Sequence, residues 1–259
     1  VSRSSRDIIE LLIRDTRMAG FKYYLGDNDL GLPKESYLEF VGGASSVKES
    51  HDPIVIIPQQ LGHSIEDTIP TPPTKHNSLD ACCDKIHIVY DDFNQNDDTQ
   101  PYKRYKLTYF ARPLSDTDRD GNIINQRYGI YKSKISWEQD IGQEEGEWVA
   151  DCSECYHNEL IRDYVEDMEF IALDKDGKVL TPYPNTLTEE SRRNLYKIRA
   201  IDIRIAFISE KPFFRFESRQ GKERQLTGFS RTPRSFSDRN LRDNVVVTVY
   251  TRNIVGQDI

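Results

Sequence analysis

The chain has 259 residues, enough for one large domain or two small ones, and a formal net charge of -8 in which Lys and Arg are interleaved with Asp and Glu. With 37% hydrophobic residues and a mean hydropathy of -0.68, it reads as one elaborated folded domain with long polar loops. The interleaved charge argues against a nucleic-acid footprint, and without a run of about 18 apolar residues no segment reads as a spanning helix.

The first element is an amphipathic helix in SSRDIIELLIRDTRMAGF: Ile8, Ile9, Leu11, Leu12 and Ile13 form a broad apolar face, with Asp7, Glu10, Arg14, Asp15 and Arg17 mostly elsewhere. Ser4 or Ser5 suits a cap if the helix starts here, and Gly20 suits its end.

After the helix the pattern changes to period two. Residues 199–209 are the clearest strand, with Ile201, Ile203, Ile205 and Phe207 alternating with Asp202, Arg204 and Ala206. Strands are also expected over 54–57, 85–91, 105–112, 127–133, 165–173 and 244–251. Between them, 42–53, 62–78, 93–101 and the Arg-rich 215–242 are polar and rich in loop formers. The Arg-rich stretch reads as a solvated loop, or as a docking surface for an acidic partner. One helix followed by a run of strands predicts an α+β fold with a largely antiparallel sheet.

Signatures of catalysis are missing: there is no G-x-S-x-G, no HExxH and no Gly-rich phosphate loop. The histidines are scattered, with His51, His63 and His76 in loops and His87 in a strand. Carboxylate pairs such as Glu166 with Asp167, or Glu144 with Glu145, read as solvated surface. No organic cofactor is expected. The loop SDTDRDGNI is the best cation motif. Asp116, Asp118 and Asp120 occupy positions one, three and five, Gly121 supplies the sharp turn, and the Asn122 carbonyl offers a further ligand for calcium. It is not an EF-hand, because Arg127 stands where a bidentate Glu would be needed. The shorter run Asp174, Asp176, Gly177 is a lesser candidate.

In the run CSECYH, Tyr156 separates Cys155 from His157 and so spoils a haem-attachment motif. A four-thiolate zinc site on Cys82, Cys83, Cys152 and Cys155 is disfavoured, because adjacent cysteines are awkward as two of four tetrahedral ligands in such a set.

Several runs together resemble PilW-type minor pilins. RDTRMAGF, with Arg14, Asp15, Arg17, Met18, Ala19 and Gly20, resembles the end of that family's first helix. SLDACCDKIHIVYDD, GIYKSK and the VEDMEF run of Val165, Glu166 and Asp167 resemble successive strands, and LRDNVVVTVYTRNI resembles the last strand with its terminal Arg252 and Asn253. The resemblance implies that residues 1–20 are the C-terminal half of the pilin helix and 21–259 a β-rich head. A leader and an apolar helix half are then expected upstream of Val1, since SRSSRD follows it directly.

The resemblance further implies an exported structural subunit, held at the inner membrane facing the periplasm through that N-terminal segment before joining a pilus. Its partners would be other minor pilins, the major pilin and a tip adhesin, with no nucleic acid. Two alternatives stand beside it: a J-type pseudopilin of type II secretion, and an extracellular β-rich module binding carbohydrate or protein through loops and tyrosines. In an exported domain the four cysteines are expected to form disulfides. Cys82 or Cys83 joined to Cys152 or Cys155 is the expected pairing, and pairing of near neighbours stays open.

Overall fold

Helix α1, Ser2–Met18, opens the computed structural model, which describes residues 2–21, 52–58, 82–93, 102–117, 120, 123–138, 147–185, 188–212, 224–227, 230, 234–236 and 238–254. Ile8, Ile9, Leu12, Asp15, Thr16 and Ala19 recur every three or four residues and are buried, whereas Arg6, Asp7, Glu10, Arg14 and Arg17 are exposed. Asp15 therefore departs from its expected place among the outward charges. Ser4 and Ser5 lie inside the helix.

The strands that follow are β1 (Ile54–Ile57), β2 (Lys85–Phe93), β3 (Tyr102–Thr117), β4 (Ile123–Glu138), β5 (Glu147–Val149) and β6 (Tyr156–Leu173). Helix α2 (Glu189–Leu195) precedes β7 (Ala200–Ile208), and β8 (Arg224–Leu226), β9 (Arg234–Phe236) and β10 (Arg242–Tyr250) complete the described elements. The main sheet runs β1-β2-β3-β4-β6-β7-β10 with β5 added on β4, and β8 and β9 form a separate pair. Every strand pairing is antiparallel, so the described architecture is a helix with a largely antiparallel sheet.

Strand β6 belongs to two neighbourhoods. Its first part pairs with β4, from Tyr156 opposite Lys134 to Val165 opposite Tyr128. Its second part pairs with β7, from Val165 opposite Phe207 to Leu173 opposite Ala200. A register shift between Val165 and Asp167 and a positive φ of 59° at Tyr164 fall at the changeover, the kind of irregularity that bends a strand and re-aims its side chains.

The core lies between α1 and the sheet, since the helix packs against β2, β6 and β10. Ile8, Leu12 and Ala19 join a cluster with Ile86 and Ile88 of β2, Met168 and Phe170 of β6, Ile201, Ile203 and Ile205 of β7, and Val249 of β10. Each such large side chain stabilises by roughly 1.5–3 kcal/mol on burial.

Three features depart from the sequence expectation. Strands β3, β4 and β6 run well beyond their expected ends. Helix α2 was not expected; it is set by a capping box in which the Thr188 side chain accepts from the Ser191 N–H and Ser191 answers the Thr188 N–H. The Arg-rich stretch holds β8, β9 and the start of β10 instead of a single loop. Arg242 within it is tied to Asp238 at 2.7 Å and Glu166 at 3.2 Å, so that guanidinium already has its acidic partners.

Candidate functional site

The residues of the RDTRMAGF run converge where α1 ends on the sheet. Asp15 sits on the inward stripe of α1, and its Oδ2 accepts from the Tyr109 hydroxyl of β3 at 2.5 Å and from Lys132 Nζ of β4 at 2.7 Å. All three residues are buried. Arg14, outward on the same turn, donates from Nε to Asp15 Oδ1 at 3.0 Å. A buried carboxylate is costly unless paired and hydrogen-bonded, and Asp15 meets both conditions.

Aromatic rings surround these charges. Lys132 Nζ lies 5.3 Å from the Tyr109 ring centre and 5.8 Å from that of Tyr156, and two residues on Lys134 Nζ stands 3.7 Å over Tyr105. Glu154 closes the row, accepting from Tyr105 at 3.1 Å and Lys134 at 3.2 Å. Burial first, and the Asp15 charge second, push the hydroxyls of Tyr109 and Tyr156 above the ordinary tyrosine value. Burial alone would raise the Glu154 carboxyl, but Lys134 and then Tyr105 bring it below its ordinary value. The Tyr109 and Tyr105 hydroxyls thus stay protonated as donors to Asp15 and Glu154, and the buried cluster clamps Asp15 of α1 to the sheet.

At the end of α1, Gly20 takes a φ of +74°, the left-handed conformation that suits a residue just past a helix. A Cβ there would approach Ile254 Cγ1 at 3.1 Å, the Asn253 carbonyl at 3.3 Å and Pro53 at 3.3 Å. The Gly20 N–H donates to the Val89 carbonyl at 2.8 Å, and the Asp91 N–H to the Phe21 carbonyl at 2.8 Å, so the chain leaving α1 runs along β2 beyond β1. Asn253 donates from Nδ2 to the Arg17 carbonyl at 2.8 Å, satisfying a helix-end acceptor. Ala19 is fully buried, Met18 is half-buried against the core, and Arg252 is exposed.

The VEDMEF run lies where β6 changes partners. Val165 is in the core, Glu166 meets Arg242, and Asp167 is buried with Oδ1 accepting from the Met168 N–H at 2.8 Å. Beside it Asp84 grips β6 from the approach to β2: its N–H donates to the Met168 carbonyl at 2.8 Å and its Oδ2 accepts from the Phe170 N–H at 2.9 Å.

The cysteine pairing differs from the expected one. Cys82 is bonded to Cys83 and Cys152 to Cys155, with no bridge between the two pairs. The physical reason is placement: Cys82 and Cys83 are held by Asp84 against the second part of β6, whereas Cys152 and Cys155 close the turn that leads into its first part.

Of the calcium residues, Asp118 and Asn122 lie outside the described residues, as does the side chain of Asp116; Asp120 is exposed. Around the motif, β3 ends at Thr117 and β4 begins at Ile123, with a register shift between Asp116 and Thr117. At the lesser candidate, Asp174 Oδ1 accepts from the N–H groups of Asp176 at 2.8 Å and Lys178 at 2.9 Å, which makes it a turn brace. His51, His63, His76, Glu144 and Glu145 lie outside the described residues. His87 Nδ1 is 2.8 Å from Thr108 Oγ1, and His157 Nε2 is 2.9 Å from the Ala150 carbonyl oxygen.

Sequence reasoning missed another buried ion pair. Asp52, before β1, meets Arg192 of α2 at 3.0 Å and accepts from the Tyr196 hydroxyl at 2.8 Å. Burial pushes the Asp52 carboxyl up, with Arg192 and Tyr196 opposing. A lone Asp in a loop and an Arg 140 positions later give no periodic signal that would join them.

No protein-family model and no curated protein matches the sequence. Among solved structures the chain is similar to a type IV-like pilin from Thermus thermophilus, at 13% identity and a TM-score of 0.40, over 97% of this chain and 96% of that one. No helix among the described residues is long and apolar enough to cross a membrane.

Proposed function

We propose that this chain is a PilW-type minor pilin, a structural subunit that primes assembly of a type IV pilus and caps it, with no enzymatic turnover. The observation that carries the reading is the meeting of its two end motifs: Asn253 beside the last strand bonds to the Arg17 carbonyl inside RDTRMAGF, and Asp15 of that run is locked under the sheet. Residues spaced this way along the chain gain a shared purpose if α1 is a shaft that the head must grip. In this reading residues 1–20 are that shaft and 21–259 the head, which is exported, faces the periplasm while attached through an N-terminal apolar segment, and later sits at the pilus or cell surface. Other minor pilins, the major pilin and a tip adhesin are its partners.

Deleting the gene tests this. Surface pili and twitching fall while the major subunit is still made; abundant normal pili in the deletion overturn the proposal. Loss of protein secretion with pili intact would instead identify a J-type pseudopilin.

Calcium belongs to the same proposal. Asp116, Asp118, Asp120 and the Asn122 carbonyl would hold the ion between β3 and β4, their alternate spacing suiting carboxylates that share one centre. The ion would brace that connection and take no part in chemistry.

A further inference from the structure

We propose that Cys82, Cys83 and Asp167 form a redox-gated site for a borderline-soft divalent cation such as zinc. The two sulfurs and a carboxylate oxygen all lie within 4.8 Å of one another, and all three residues are buried. The sequence does not foretell this set, because the third donor comes from β6 and not from Cys152 or Cys155.

The two sulfurs are held together by their own bond, and contacts besides it hold the cysteine segment against β6. Asp84 ties the cysteine segment to the edge of β6 through the Met168 carbonyl and the Phe170 N–H, one residue either side of Glu169. Asp167 stands at the register shift of β6, where a bulge turns a side chain out of the regular alternation. Two thiolates and one carboxylate suit zinc, whereas calcium and magnesium prefer oxygen alone. Three protein ligands leave a fourth tetrahedral position for water.

The structure holds Cys82 and Cys83 as a disulfide, and this is the closed state of the site. A dithiol reductant opens it by delivering two electrons and two protons: the sulfur-sulfur bond breaks, two thiols form, and the reductant becomes a disulfide. Metal binding then displaces the two thiol protons to solvent. Oxidation excludes the cation, and the bound cation shields both sulfurs from oxidation.

The test uses the full chain carrying Cys152→Ser and Cys155→Ser, so that only Cys82 and Cys83 supply thiols. Reduced protein, freed of reductant, is titrated with zinc against a chromophoric chelator and with cadmium, following thiolate-to-cadmium absorption. One cation per chain is expected, with two protons released, and none in the oxidised chain. Asp167→Asn should weaken zinc at least tenfold. Cadmium-113 NMR of the chain with Cys152→Ser and Cys155→Ser alone, which needs no Asp167 variant to fold, should report two sulfur ligands. No binding at micromolar metal, equal binding by the oxidised chain, unchanged affinity in Asp167→Asn or a spectrum without sulfur ligation would each overturn the site.

Discussion

Asn253 donates its side-chain amide to the carbonyl of Arg17, 236 positions earlier, and so ties the end of the last strand to the end of the first helix. Asn253→Ala should destabilise the chain by about 1 kcal/mol, the usual worth of one neutral hydrogen bond, because the Arg17 carbonyl is left at an exposed helix end where water replaces the amide. Urea unfolding should show a lower midpoint at unchanged slope; no change would mean that the bond does not hold the junction.

Asp15→Ala should be far more damaging. It strands the Lys132 ammonium and the Tyr109 hydroxyl in a buried place, and removing one partner of a buried pair costs about 3–5 kcal/mol. Asp15→Ala combined with Lys132→Met should recover part of that loss. Additive losses in the double variant would show that the two side chains are not coupled.

How far the sequence discloses this arrangement depends on which force sets each element. Strand β7 is plain in the alternation of Ile201, Ile203, Ile205 and Phe207, since burial of one face writes itself into every second residue. The first part of β6, YHNELIRD, carries no such pattern because its residues are exposed or half-buried, and its strand conformation comes from pairing with β4. Helix α2 carries a single apolar residue, the buried Leu195, and is set by capping, so periodicity misses it. Asp15 read as one more outward charge on α1; its burial depends on Tyr109 and Lys132, which are distant in sequence and give no local sign.

Alkaline pH should unfold the protein through its tyrosines. Tyr90, Tyr109 and Tyr196 are buried and their hydroxyls are raised above the ordinary value of 10.0. Their contribution is fully present below pH 10 and is lost above it, because the unfolded chain gives up protons there that the folded chain retains. Each such tyrosine removes roughly 1.4 kcal/mol per pH unit in that window. Absorbance of ionised tyrosine and the loss of circular dichroism should therefore rise together; ionisation of these three in the folded protein would contradict the burial.

Thermal melts in calcium and in chelator test the connection between β3 and β4. A cation bound at 100 times its dissociation constant should stabilise by about 2.7 kcal/mol. The shift should vanish in Asp118→Ala with Asp120→Ala. No shift at millimolar calcium, or one that survives this pair, removes the site.

Peptide mapping without reduction should find Cys152 with Cys155 in one fragment, Cys82 with Cys83 in another, and no fragment joining the two. A joined fragment would restore the longer bridge.

The grip on α1 also sets how the molecule carries a pulling load. Lys132 and Tyr109 hold Asp15, Asn253 holds the Arg17 carbonyl, and Val89 holds the Gly20 N–H, so attachments from β2, β3, β4 and the tail of β10 act on the last turn of α1 and the residue that leaves it. Tension drawn along α1 loads these bonds side by side in shear. Bonds loaded in parallel share the force, whereas bonds loaded one after another yield singly at lower force.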